Sequence, residues 1–530
     1  MTGTESSVAI GRADAGSWWS RSAPLLVGVI ATVVCAWNSG RPSFWYDEAA
    51  TVSAINRSVP DMTALLSRID VVHGGYYMLM HGWWRLTGHW GGFGGSEFAM
   101  RLPSAVAVGI AAALVVCIGR TLVALRFGVL AGALLVCLPR VLWAGSEARP
   151  YAGSMALAAA ATWLVLLAVR RGGWWWVSYA VLATACTVWF LPSGTLVAAH
   201  LLYVLLTTRR RNRLYGMLIA AVMVAAAVLP FAMFAHRQVA QIAWLSPFST
   251  QTVVAYLQFE YVDGAPVAGV LILLLLLGIA VIALLGTVGR IDRRALTLGL
   301  AWVAVPAVVI LGYSWLGSPT YVPRYLSFTA PGMALVIAVA VRVIARQFTR
   351  PGAVRAIWLP AVAVLALGVA AVPAFVAQRS VYGKVGGTDF SQVADFVGRH
   401  ARPGDCVAFE RTASWSPVSE RVVKQAKPRD FRNVRDIGPS TPAARAHVLW
   451  DLDRPETDYA AWARTCSVMW VVTDGERATG SVFRPGGSPP WYFKPFHFEN
   501  TVLYRELAGD GLTIVGRIGF HRSQVVRMTR

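Results

Sequence analysis

The sequence predicts a polytopic α-helical membrane protein of about eleven spans, followed by a small α/β domain outside the membrane. Three observations predict it. Of the 530 residues, 56% are hydrophobic and only 14% charged, whereas a soluble protein is about a quarter charged. The charge is missing from long apolar runs, each able to cross a hydrocarbon layer that takes about 20 helical residues. What charge remains falls in short basic clusters between the runs, and after residue 377 the runs end and charge rises.

The first run, "SAPLLVGVIATVVCAWN" at 22–38, has the length of a signal peptide, but so many spans follow that it reads as a signal anchor. Further spans are expected at 102–119, 122–139, 150–169, 174–190, 193–208, 214–235, 265–287, 295–315, 327–345 and 356–377. An odd number of spans puts the two ends on opposite sides. Arg120 and Arg126, "RRGG" at 170–173, "RRRNR" at 209–213, "GRIDRR" at 289–294 and "RQFTRPGAVR" at 346–355 all fall on the N-terminal side. The positive-inside rule makes that side the cytoplasm, so the N-terminus is in and the tail is out. The chain then reads as a multi-pass protein of the cell membrane, in contact with membrane lipids. The net charge of +21 is accounted for by these topological clusters, which argues against nucleic acid as a partner. Nearly all the cations are arginine, with four lysines.

The other loops hold the polar residues that can do chemistry. The first outer loop, 39–100, is too long for a connector. It contains "VPDMTALLSRI" and "YYMLMHGWWRL", amphipathic stretches suited to helices in the membrane interface, and Trp83, Trp84 and Trp90 suit an aromatic belt. "GGFGG" at 91–95 lacks a preceding strand and a lysine, so it reads as a flexible turn and not a phosphate loop.

The chain divides into a transmembrane unit, 1–377, and an extracytoplasmic unit, 378–530. In the tail, Phe390, Val393, Ala394 and Val397 keep helical spacing, and Pro403-Gly404-Asp405 then turns the chain into a strand. "CSVMWVVTD" at 466–474 reads as a buried strand and "YFKPFHFENTVLYRE" as edge-like strands with turns. Cys406 and Cys466 can pair if the tail is exported. Cys35, Cys117, Cys137 and Cys186 lie in or at apolar spans as ordinary core residues.

Asp47 and Glu48, in "FWYDEAAT", are the first candidates for chemistry. Boundary carboxylates are often only solvated loop residues, yet two adjacent ones between aromatic and small residues form a more specific pattern. A carboxylate set against aromatic rings is a stronger base than one in water. Adjacent residues on an irregular segment point different ways, so the pair is expected to divide two tasks. Arg101 in "MRLPS", Arg149 in "EARPY" and Arg324 in "VPRY" each sit at the outer end of a span. Snorkelling accounts for any one of them. Three on the carboxylates' side, two of them close to Tyr151 and Tyr325, suggest a site that grips phosphate oxygens. His73 and His236, with Tyr76 and Tyr77, are candidates for lining such a site, while His81 and His89 are given no role. No carboxylate and histidine spacing settles whether a divalent metal ion is bound.

Taken in order, "YDEA", "HGGYYMLMHGWWRLTG", "SEFAMRLPSA", "SEARPYA" and "RYLSFTAP" resemble the GT-C glycosyltransferases, in the protein O-mannosyltransferase and aminoarabinose-transferase branch. The resemblance covers about 23–377 and departs from the family pattern at His73, where two glycines follow in place of a frequent proline. It implies transfer of a sugar from a polyprenyl-phosphate carrier to a glycan, glycolipid or protein acceptor on the outer face, with inversion. It implies that Asp47 is the general base, that Glu48 helps position the acceptor, and that Arg149 and Arg324 hold the carrier phosphate. Tyr151 and Tyr325 support them, and Arg101 stabilises the site. Mannose is the first expectation for the sugar and arabinofuranose the alternative, because an arginine-heavy, actinobacterial style of composition fits builders of mannosylated and arabinosylated envelopes. A lipid-linked-sugar transporter or flippase is the alternative of another class. Transporters place ionisable groups at mid-membrane, whereas these sit at the outer ends of spans.

Overall fold

The computed structural model describes residues 18–317, 319–348, 355–411, 419–484 and 490–530. Among them, eight helices are long and apolar enough to cross a membrane: Trp18–Ala36, Glu97–Leu122, Tyr151–Arg171, Arg211–His236, Pro266–Leu284, Arg290–Trp315, Pro323–Gln347 and Trp358–Gln378. Each falls on an expected span. The three other expected spans fall on the shorter apolar helices Leu125–Val136, Trp175–Trp189 and Leu191–Thr207. Small residues let these helices approach closely. A Cβ added at Gly109 would meet Thr32 Oγ1 at 2.0 Å and the Gly28 carbonyl at 2.6 Å, so the helices carrying Gly28 and Gly109 need glycine at this contact.

The basic turns meet one another. Arg120 Nη1 donates to the Ser20 carbonyl at 2.8 Å, Arg170 donates to the Thr121 carbonyl, and Arg213 Nη2 donates to the Arg170 carbonyl at 3.1 Å. Asp292 receives Arg342 at 2.9 Å and Arg346 at 2.6 Å. Residues 349–354 of the last basic cluster lie outside the described residues.

The long loop at 39–100 is largely helical. Asp47 and Glu48 were expected on an irregular segment; instead they occupy the first turn of the helix Tyr46–Ile55, where acidic side chains complement the positive end of the helix dipole. The helix Val59–Leu66 starts at Ser58, whose hydroxyl accepts from the Asp61 amide at 3.2 Å. Gly74–Thr87 carries the second amphipathic stretch. Trp83 and Trp84 are half-buried and turned onto protein. Trp83 Nε1 donates to the Ala99 carbonyl at 2.8 Å, and Arg429 of the tail stacks over Trp84. Ser96 then caps Glu97–Leu122, its hydroxyl accepting from the Ala99 amide at 3.2 Å, which sets Arg101 just past the first turn of that span.

In the tail, a five-stranded sheet runs in the order Arg435–Asp436, Cys406–Phe409, Val468–Asp474, Ser523–Thr529, Thr513–Gly519. The first three strands are parallel and the last two join antiparallel. The helix Phe390–His400, the strand after the Pro-Gly-Asp turn and the buried strand at 468–474 all lie where the pattern put them. Cys406 and Cys466 are disulfide-bonded. One expectation needs correction: "NTVLYRE" is not edge strand but the helix Val502–Gly509. Thr501 caps it, accepting from the Tyr504 amide at 3.1 Å, and Leu503 and Leu507, one turn apart, are buried.

The tail and the loop at 39–100 share a core. Phe44, Ala49 and Val52 pack in one cluster with Phe390, Val393, Phe409 and Val422. The segment leading to Asp47 is also hydrogen-bonded to the tail: the Phe44 amide donates to Ser391 Oγ at 2.9 Å, the Ser391 amide to Ser43 Oγ at 3.0 Å, and Thr388 Oγ1 to the Phe44 carbonyl at 3.0 Å.

Candidate active site

Successive helical residues point about 100° apart, and that rotation separates the two carboxylates. Asp47 turns into a cavity of about 980 Å3, while Glu48 turns into the core. The cavity wall includes Trp45, Asp47, His73, Arg149, Tyr151, Arg324, Tyr325 and His236. Residues far apart in sequence thus meet at one place.

Two guanidinium groups flank Asp47. Its Oδ2 lies 3.6 Å from Arg324 Nη2 and 3.9 Å from Arg149 Nε. Arg149 sits in the tight turn before Tyr151–Arg171, and Arg324 follows Pro323 in the 3-10 segment Pro323–Thr329. Arg324 Nε donates to Tyr151 Oη at 3.1 Å. Its guanidinium lies 5.7 Å from the ring centres of Trp45 and Tyr325 and 5.8 Å from that of Trp244. Aromatic faces hold a cation in place and exclude water around it, while leaving N–H groups for an incoming anion.

Arg149 Nη2 lies 2.9 Å from His73 Nε2. Arginine can only donate, so Nε2 is the acceptor and the imidazole proton sits on Nδ1. Burial first, then the charges of Arg149 and Arg324, hold His73 well below the usual histidine range, which keeps the ring neutral at neutral pH. Asp70, which the sequence did not single out, also lines the cavity. It adopts a left-handed backbone (φ 63°), a conformation that aspartate tolerates better than most side chains. Its backbone amide donates to Gln241 Oε1 at 3.0 Å, and its Oδ2 accepts from Tyr77 Oη at 2.8 Å. Burial pushes its carboxyl up, against the pull of Arg149 and the Tyr77 hydrogen bond.

The sequence placed Glu48, Arg101, Tyr76 and Tyr77 in the site, but the structure sets them behind it. Glu48 and Arg101 are fully buried. Arg101 Nε donates to Glu48 Oε1 at 2.7 Å and Nη2 to Oε2 at 2.5 Å, and the Ala148 amide also donates to Oε1, at 2.9 Å. With both oxygens engaged and no exposed surface, Glu48 has nothing to offer an acceptor. It ties the Asp47 helix to the turn that carries Arg149. Tyr77 braces Asp70, and Tyr76 packs edge-on against Trp189. Neither lines the cavity. Of the aromatic run before Asp47, Trp45 and Tyr46 line the cavity and Phe44 is core.

The tail also reaches the cavity, through Val385, Leu449, Trp491 and Tyr492. No periodicity or motif signalled those contacts. Among the described residues, no group of three or more His, Cys, Asp or Glu side chains is placed to hold a metal ion.

A family model described as dolichyl-phosphate-mannose-protein mannosyltransferase matches residues 82–234, a stretch containing Arg101, Arg149 and Tyr151. A search of curated proteins gives no match. Solved structures resemble nearly the whole chain. ArnT from Cupriavidus metallidurans in the apo state aligns over 95% of this chain and 97% of its own, at 11% identity and a TM-score of 0.56. The same protein bound to undecaprenyl phosphate covers the same shares at 13% identity and a TM-score of 0.53. The archaeal oligosaccharyltransferase AglB from Archaeoglobus fulgidus, in complex with an inhibitory peptide and a dolichol-phosphate, aligns over 94% of this chain and 79% of its own, at 12% identity and a TM-score of 0.50. At such identities the likeness is one of fold: the chain has the fold of the GT-C glycosyltransferases.

Proposed function

We propose that this chain is a membrane glycosyltransferase that takes a sugar, mannose first, from a polyprenyl-phosphate carrier. It transfers the sugar with inversion to a hydroxyl of an envelope glycan, glycolipid or protein on the outer face of the membrane. One observation carries this reading: the Asp47 carboxylate lies between the guanidinium groups of Arg149 and Arg324 in the wall of a single cavity. In the reaction, Asp47 takes the proton of the acceptor hydroxyl, whose oxygen attacks the anomeric carbon. The bond from that carbon to the phosphate oxygen breaks, and polyprenyl phosphate leaves with the electron pair. Arg149 and Arg324 stabilise the charge that develops on it. A cavity of about 980 Å3 lies at the upper end of the roughly 300–1,000 Å3 usual for small-molecule sites, room for a sugar phosphate and an acceptor together. Ala232, Ala235, Ile310 and Tyr313, from two membrane-spanning helices, give it a flank on which an isoprenoid chain fits.

Mannose is supported by the description of the matching family model. The outer face is supported by the basic turns at the opposite ends of the spans, and by the Cys406–Cys466 bond, which suits an oxidising compartment. The test is transfer by the purified protein in liposomes, offered a panel of polyprenyl-phosphate sugars, with linkage analysis of the product. Mannose transfer with inversion is expected; failure to move sugar from any such carrier would sink the reading. Arg324→Ala is expected to raise the donor KM roughly 10- to 100-fold, the worth of a charge-assisted hydrogen bond to phosphate. An unchanged donor KM in that variant removes Arg324 from the phosphate site.

A further inference from the structure

We propose that Lys384 and Glu147 are positioning residues for the donor-phosphate site, the lysine being the means by which the C-terminal domain sets both phosphate-binding arginines. This rests on the transferase reading above and assigns the tail a part in it.

Both side chains are almost completely out of solvent, at 1% exposure for Lys384 and 0% for Glu147. Lys384 Nζ donates to Glu147 Oε1 at 2.7 Å and to the Ser146 carbonyl at 2.6 Å. The other oxygen, Glu147 Oε2, accepts from Trp45 Nε1 at 2.8 Å. Trp45 is one of the aromatic rings facing the Arg324 guanidinium. An indole has one N–H, so this bond fixes the rotation of the ring. The chain of contacts therefore runs from the tail, through one carboxylate, to the face against which Arg324 rests.

A second branch reaches Arg149. The turn Ser146–Arg149 is held from three sides: by Lys384 on the Ser146 carbonyl, by Ser104 Oγ on the Glu147 carbonyl at 2.5 Å, and by Glu48 Oε1 on the Ala148 amide at 2.9 Å. The next residue is Arg149. Burying an ammonium and a carboxylate is costly, and an apolar pair of the same volume is often as stable. Stability alone therefore gives weak reason for this pair. What an apolar pair cannot supply is an acceptor aimed at the Trp45 N–H and a donor aimed at the Ser146 carbonyl.

The experiment measures donor and acceptor KM separately for Lys384→Met, Trp45→Phe, the double variant and Lys384→Arg. Lys384→Met and Trp45→Phe are each expected to raise donor KM roughly 3- to 30-fold, the range of one cation–π contact, with acceptor KM unchanged. The double variant is expected to lose no more than the worse single, because both break the same chain of contacts. Lys384→Arg, which keeps the charge and the donors, is expected to recover most of the loss. A wild-type donor KM in the folded fraction of Lys384→Met overturns the proposal, as does full additivity with Trp45→Phe. If the wild-type protein moves no sugar, the transferase reading has failed and the positioning reading is decided by binding of a polyprenyl phosphate. Weaker binding in Lys384→Met upholds it; equal binding overturns it.

Discussion

Asp47→Asn leaves a folded, inserted protein whose kcat falls by about 10²- to 10⁴-fold, the range of a positioned general base. Asparagine keeps the size and the helix position of Asp47 but cannot take the acceptor proton. The substitution also removes the negative charge nearest Arg149 and Arg324, which stand 3.9 and 3.6 Å away. The two arginines then meet the donor phosphate without a competing anion. Donor KM is accordingly expected to stay level or fall while kcat collapses, a combination that unfolding does not produce. The measurement is steady-state transfer from a polyprenyl-phosphate sugar, with the thermal midpoint as the check on folding. More than a tenth of wild-type kcat would move the base elsewhere. Asp70 is the next carboxylate in the cavity, already engaged by Tyr77, and Asp70→Asn is expected to cost less than Asp47→Asn.

The parts of this fold that were legible in the sequence are those set by local physics. Spans announce themselves because the bilayer thickness fixes a length of apolar helix. The clustered arginines of the turns mark one side because short connecting loops on that side carry an excess of them. Asp47, Arg149 and Arg324 could be grouped before any distance was known, since a topology count put them at the same ends of their spans. Glu48 was misassigned for an equally plain reason. Adjacency in sequence says nothing about which carboxylate faces the cavity, and that is decided by a helix at Tyr46–Ile55 whose start shows no side-chain cap. The helix Val502–Gly509 was read as strand because the β-branched and aromatic residues of "TVLYRE" suit a strand and the run is too short to show a helical period. Asp70, Glu147, Lys384 and Trp244 were missed because what joins them to the site is tertiary. The joining bonds span about a hundred residues or more, as from Trp45 to Glu147 and from Lys384 to Glu147.

Replacing Arg101 with leucine is expected to cost about 3–5 kcal/mol, the penalty for leaving a buried charge without its partner. Every N–H of this guanidinium is used: Nε and Nη2 bind Glu48, Nη1 donates to the Ser39 and Pro42 carbonyls at 2.7 Å each, and Nη2 also reaches the Ser43 carbonyl at 3.0 Å. Lysine, with three donors at one point, cannot repeat that pattern, so Arg101→Lys should recover only part of the loss. Burial alone pushes the Glu48 carboxyl up, but the charges of Arg101 and Lys384, with the hydrogen bonds from Arg101 and the Ala148 amide, hold it below the ordinary 4.5. A folded-state value below the unfolded one means that the pair's stabilisation is complete above the unfolded value and is lost as pH falls through the folded one. The pair's contribution to the thermal midpoint in detergent should therefore be full and independent of pH between pH 7 and about 5. In more acid solution the wild type should lose midpoint faster than Glu48→Gln, which has no proton to take up. Midpoints that fall in parallel down to about pH 3 would show that Glu48 is not held ionised by Arg101. Because the pair ties the segment before Asp47 to the turn before Arg149, loss of activity should track loss of midpoint across these variants.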